Sequence, residues 1–227
     1  MHKLICFDFD DVIADSKSLS RLPFIGGRIK SIELGPEFIE GTLRPKHFKK
    51  FMDDVVKQIS GINAGLVIRV LLRMKLHKGV RETLERLHNR GYKIVIISTN
   101  DEGFIRQYIA KHKLDKYVDH VYAASFEIKD GKITGKISGE VLKDEKVHIV
   151  PRLEKKYKLK RREMVYVGDG LTDLAIMKII GRGVLFNPNV LTKAEVFASS
   201  KLRRKENKGQ LFLAEGDDLR RVLEFIE

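Results

Sequence analysis

Five short apolar runs punctuate this chain, and the segments between them carry helical periodicity. The runs are residues 4–7, 94–97, 118–122, 164–167 and 184–186. Most of them show no alternation of apolar with polar residues, so they read as strands buried on both faces. Helical spacing follows over residues 78–90, where Val80, Leu84 and Leu87 share a face before Gly91 ends the pattern. It returns over 104–112, over 171–180 and from about 217 to 226. Strand–helix alternation of this kind leads to an α/β fold: a three-layer, Rossmann-like parallel sheet with helices on both faces.

Two segments break the alternation. Residues 15–77 are far too long for an ordinary strand–helix connection. They contain two helical patterns, 45–59 and 64–76, the first with Pro45 where a helix tolerates proline best. This segment is expected to form an inserted helical cap. The expected domains are therefore a core of residues 1–14 and 78–227 and a cap of 15–77. The second interruption is 126–135, where Asp130-Gly131 between two short alternating runs predicts a hairpin. The basic stretch 201–209 reads as a mobile, solvated loop.

The chemistry concentrates where strands end. Asp8 and Asp10 follow the first run, and residues two apart in an extended chain point the same way. Two carboxylates facing one point repel unless a cation or a shared proton relieves them. A metal site, acid–base chemistry and a plain polar turn all remain open from this pair alone. Ser98-Thr99-Asn100 follow the second run, and Gly168-Asp169-Gly170-Leu171-Thr172-Asp173 follow the fourth. In an open parallel sheet, ligands bind outside the carboxyl ends of the strands. Hard oxygen donors gathered there suit Mg²⁺ held by carboxylates and substrate phosphate.

Composition narrows the classes. The net charge of +13 admits nucleic acid, an anionic membrane surface or acidic metabolites as partners. The basic residues are, however, spread along nearly the whole chain. No apolar run is long enough for a transmembrane helix. A single cysteine, Cys6, excludes an internal disulfide and reads as a small buried hydrophobe in a cytoplasmic protein. Abundant lysine and glutamate with little glutamine suggest a heat-adapted source.

The strand-end motifs resemble those of the haloacid dehalogenase-like (HAD) hydrolase superfamily, on its phosphatase side. Asp8-x-Asp10-x-Val12 is similar to its first motif, Ser98 to its second, Lys146 to its third and Gly168-Asp169-Gly170-x-x-Asp173 to its fourth. The insert at 15–77 sits where the superfamily carries its C1 cap. Residues 129–143 are similar to phosphoserine phosphatases. The resemblance implies Asp8 as nucleophile, Asp10 as acid and base, and Ser98 and Lys146 as phosphate-holding residues, with Thr99 and Asn100 lining the pocket. It implies Mg²⁺ held by Asp8, the main-chain carbonyl of Asp10 and Asp169, with Asp173 behind them. Asp10 favours phosphoryl transfer over dehalogenation, because a halide leaving group needs no proton.

The pattern departs from phosphoserine phosphatases in two places. No acid lies between Asp15 and Glu33, and Lys17 stands where those enzymes carry a glutamate. Thr99-Asn100 replace the two glycines usual after the second-motif serine. Cap residues Arg21, Arg28, Lys30, Arg69 and Arg73 suit an acidic substrate or a solvated face, and Phe24 to Gly27 a lip over the pocket. The expectation is a monomeric or homodimeric phosphatase of a small phosphorylated metabolite, with neither nucleic acid nor membrane as partner. The alternatives are a phosphomutase using the same aspartyl-phosphate, and a nucleic-acid-binding or regulatory protein on a HAD scaffold.

Overall fold

The computed structural model describes residues 3–16, 45–143 and 146–226. Its chain begins with β1 (Leu4–Phe7) and a two-residue strand, β2 (Ala14–Asp15). The segment after it holds α1 (Pro45–Lys57), α2 (Ala64–Leu71) and the short β3 (Lys75–Leu76). Then come α3 (Val80–Asn89), β4 (Lys93–Asp101), α4 (Glu102–Lys111), β5 (His120–Lys129) and β6 (Lys132–Ser138). The second half holds α5 (Ile149–Tyr157), β7 (Met164–Gly168), α6 (Leu174–Met177) and β8 (Arg182–Phe186). It closes with α7 (Val190–Ala198), α8 (Ser200–Asn207), β9 (Leu211–Ala214) and α9 (Leu223–Ile226).

Seven strands form one sheet in the order β6-β5-β4-β1-β7-β8-β9. All neighbours pair in parallel except β5 and β6, which form the hairpin expected at Asp130-Gly131. Every residue of β1, of 94–97 in β4 and of 164–167 in β7 is fully buried, as strands without alternation require. β1 lies between β4 and β7, so the strand order reverses beside it. The crevice at such a reversal, beyond the carboxyl ends, is where an open α/β sheet binds ligands. Asp8 stands at that point, its N–H bonded to the Val167 carbonyl at 2.8 Å.

The inserted segment leaves and re-enters the core through a ribbon in which β2 pairs antiparallel with β3. The connection between its two helices also holds the β5–β6 hairpin. The N–H groups of Gly61 and Ala64 donate to Ile133 and Gly131, and Ile133 N–H donates to Ile62.

Several sequence-based boundaries move. The 64–76 helix stops after Leu71, because the chain must extend into β3 to close the ribbon. The 171–180 helix becomes a 3₁₀ turn, Leu171–Asp173, followed by the single turn of α6. The carboxylate of Asp173 folds back onto the N–H groups of Asp169 and Gly170 at 3.1 Å each, which tightens that turn. The basic stretch expected as a mobile loop is the helix α8. Ser199 caps it and fully buried Leu202 anchors it, so one apolar residue in a charged run decides its state. The final helix is a 3₁₀ turn, Leu219–Val222, with one α-turn after it. Lys17, Arg21, the 24–27 lip, Arg28 and Lys30 lie outside the described residues. Arg69 and Arg73 are exposed.

Candidate active site

The site is built from three strand ends and one loop. Asp8 turns its carboxylate inward, accepting the Phe9 N–H at 2.7 Å on one oxygen and the Lys146 ammonium at 2.8 Å on the other. After it the chain folds tightly back, with the N–H groups of Ile13 and Ala14 both bonded to the Phe9 carbonyl at 2.9 Å. Asp11 takes a left-handed backbone there, φ 55°, and accepts the Ser16 N–H at 3.1 Å. Asp10 has a partner of its own. Its two oxygens lie 3.2 and 3.3 Å from the Asn100 side-chain nitrogen.

Lys146 is 1% exposed, among the most completely buried charges in the fold. Its ammonium reaches Asp173 at 2.7 Å and the Tyr166 hydroxyl at 3.1 Å, besides Asp8. Tyr166 in turn donates to the same Asp173 oxygen at 2.7 Å. Burial alone would lower the lysine's pKa, but the carboxylates of Asp173 and Asp8 outweigh it and hold Lys146 above its usual range. Its backbone is left-handed, φ 70°, three residues before α5 begins at Ile149. That conformation is uncommon for a side-chain-bearing residue and persists where surrounding contacts fix it. Lys143, three residues earlier, is exposed.

Asp8, Asp169 and Asp173 each bring a carboxylate oxygen within 4.8 Å of the others. Burial first, then the neighbouring carboxylates, push Asp8 and Asp169 well above the usual carboxylate range. Lys146 offsets part of that repulsion. A divalent cation would offset the rest, so the donor set and its electrostatics fit a metal site. Asp173 has its oxygens taken by Lys146, Tyr166 and two backbone N–H groups, whereas among the described residues no hydrogen-bond donor reaches the Asp169 carboxylate. Gly168 is required for this packing, since a Cβ there would stand 2.4 Å from the Asp173 carboxylate.

A family model of the haloacid dehalogenase-like hydrolases matches residues 5–178. The chain belongs to that family. Phosphoserine phosphatase of Methanocaldococcus jannaschii is 27% identical over 229 residues, covering 99% of this chain and 98% of the relative. That of Lactococcus lactis is 30% identical over 195 residues, covering 85% and 87%. The chain spans 54% of the length of a third relative, phosphoserine phosphatase of Archaeoglobus fulgidus. A solved structure described as a phospho-aspartyl intermediate analogue of phosphoserine phosphatase superposes with a TM-score of 0.77. It is 25% identical and covers 100% of this chain and 99% of that one. These relatives put the hydrolase among the phosphoric monoester hydrolases.

The carboxyl-terminal part of β4 sits level with the Asp8 turn. β1 and β4 pair with Phe7 opposite Ile96, and β4 then carries extra residues relative to β5 between Ile97 and Asp101. This irregularity lifts Ser98-Thr99-Asn100 out of the ladder. Ser98 is fully buried and its oxygen accepts the Asn100 N–H at 3.0 Å, which leaves its O–H free to donate. Thr99 is half-buried. Asn100 joins this segment to the first motif through Asp10.

Sequence reasoning missed Tyr166. Its signal was a hydroxyl in the middle of an apolar strand, which a buried tyrosine must satisfy. In this hydrolase the hydroxyl closes a triangle with Lys146 and Asp173. Tyr166→Phe removes one donor to Asp173 and one acceptor for Lys146. It is expected to cost about 1–3 kcal/mol of unfolding free energy in denaturant titrations. A change within ~0.5 kcal/mol, the usual scatter of neutral surface substitutions, would show that the hydroxyl is not part of the network.

Proposed function

We propose that this hydrolase cleaves a small phosphomonoester in a Mg²⁺-dependent reaction that passes through an aspartyl-phosphate on Asp8. The observation that carries the reading is the Asp8 carboxylate itself. It is buried at the sheet's reversal point, gripped on one oxygen by Lys146 and set beside Asp169. The domain division proposed is a catalytic core of residues 1–14 and 78–227 with a cap of 15–77.

A carboxylate oxygen of Asp8 attacks phosphorus as the ester P–O bond breaks. Asp10 gives a proton to the leaving oxygen, then removes one from the water that attacks the phosphoryl group and frees Asp8. Asn100 holds the Asp10 carboxylate for both steps. The Lys146 ammonium and the Ser98 hydroxyl hold phosphoryl oxygens, in a reaction whose catalysis is mainly positioning and charge stabilisation. Asp8, Asp169 and the main-chain carbonyl of Asp10 would hold Mg²⁺, which supplies charge neutralisation for the phosphoryl oxygens. Asp173, saturated by protein donors, acts as a positioning residue for Lys146 and the Asp169 turn. Thr99 lines the pocket beside Ser98.

The substrate is a phosphorylated metabolite, with phosphoserine the first compound to test in view of the relatives. Lys17 and Thr99-Asn100 depart from that group's pattern, so a substrate with a different acidic portion fits the same core. Phosphate release from a panel of phosphorylated metabolites is expected in Mg²⁺ and not after chelation. Mg²⁺ at about 100 times its dissociation constant is also expected to stabilise the protein by about 2.7 kcal/mol in thermal melts. Turnover that survives chelation, together with a melting point indifferent to Mg²⁺, would overturn the metal assignment.

A further inference from the structure

Helices α7 and α8 carry none of the residues that the proposed reaction uses. On α7, Val190, Leu191 and Phe197 are 84%, 40% and 75% exposed, while Thr192 and Val196 face the core. Ala194 and Ala198 are exposed on the same helix. Spacings of four and seven residues put Val190, Ala194 and Phe197 on one stripe, with Leu191 and Ala198 beside it. Side chains as large as Phe and Val this far into solvent, clustered on one helix, mark an interaction surface rather than scattered apolar exposure.

The helix that follows supplies the charge. Leu202 anchors α8 to the core, and the Lys205 ammonium turns inward onto the carbonyls of Ile180 and Gly181. Lys201, Arg203, Arg204 and Lys208 remain exposed. The Arg203 guanidinium lies 5.7 Å from the centre of the Phe197 ring, so the apolar stripe and the basic helix adjoin. Residues 190–209 hold six Lys or Arg against two Glu.

We infer that α7 and α8 form a docking surface for an anionic lipid bilayer, with Phe197, Val190 and Leu191 entering the interface and the α8 cations against the headgroups. The inference stands apart from the proposed phosphatase reaction. It requires no spanning segment, and no described helix is long and apolar enough to cross a membrane. A bilayer satisfies both halves of the surface at once, apolar side chains and cations. A second copy docked on the same face would bring two basic helices together, at a cost in repulsion. A nucleic acid strand would match the charge, but the surface offers it one ring for stacking and otherwise aliphatic side chains.

The test is cosedimentation of the full chain with vesicles of phosphatidylglycerol and phosphatidylcholine in equal parts, against vesicles of phosphatidylcholine alone. Binding is expected to the anionic vesicles only, and to weaken with salt. Phe197→Asp, and separately Arg203→Glu with Arg204→Glu, are each expected to lower partitioning at least about tenfold. A wild-type melting point in these variants shows that they fold. The inference is overturned if anionic vesicles bind nothing at low salt, or if Phe197→Asp and Val190→Asp bind like wild type. It is equally overturned if sedimentation gives a dimer that Phe197→Asp dissolves. A single-stranded oligonucleotide bound more tightly than the vesicles, and lost in the same variants, also overturns it.

Discussion

Asp8→Asn is expected to abolish phosphatase turnover, by a factor on the order of 10⁵ or more, while the fold survives. Asparagine keeps the shape and the contact with the Phe9 N–H but has no nucleophilic carboxylate oxygen. The stability effect has a definite sign. Burial and the Asp173 carboxylate push the Asp8 carboxyl well above its usual range, with Lys146 opposing only part of that shift. A folded carboxyl raised in this way costs stability once the pH exceeds the unfolded value, near 3.9. In metal-free protein, Asp8→Asn is therefore expected to melt no lower than wild type at neutral pH. Its stability should also fall less as pH rises from about 4. The gain from Mg²⁺ should shrink, because one of its ligands is gone. Turnover above a few per cent of wild type would remove Asp8 from the nucleophile's role.

Lys146→Met is expected to have the largest effect on stability. The ammonium is buried between Asp8 and Asp173 with the Tyr166 hydroxyl as a further partner. Methionine fills a similar volume but leaves buried carboxylates without their counter-charge. Breaking a buried pair from one side costs about 3–5 kcal/mol. For a chain of this size that is a fall in melting temperature of roughly 10 °C. The deficit should narrow as pH is lowered, because the stranded carboxyls take up protons and lose the charge that makes them costly. Turnover should be lost as well. A loss below about 1 kcal/mol would mean that Lys146 does not carry the charge balance of this site.

The fold was legible where the physics is local. Unbroken apolar runs made β1, β4 and β7 recognisable as buried strands, and Asp130-Gly131 fixed the hairpin. Proline is tolerated in a helix only in its first turn, and α5 accordingly starts at Ile149, two residues before Pro151. What failed was local pattern with a distant cause. The stretch 201–209 reads as a loop until Leu202 finds a core pocket to fill. The 171–180 pattern promised a full helix, but the Asp173 carboxylate is spent on the backbone behind it.

The site divides in the same way. The sequence by itself determined the reactive groups: two carboxylates two apart at a strand end, a hydroxyl after a second strand and a glycine-flanked acidic pair after a fourth. It also determined that a parallel sheet would carry them at one edge, because side-chain periodicity and burial are properties of short segments. The family resemblance named Lys146, but only the tertiary structure seals it between carboxylates, with Lys143 left exposed. It alone assigned Asn100 to Asp10, ninety residues away, and the Tyr166 hydroxyl to Asp173. The reason is that the strength of a charge or hydrogen bond is set by what surrounds it. Those surroundings come from strands brought together by sheet order, not by proximity along the chain.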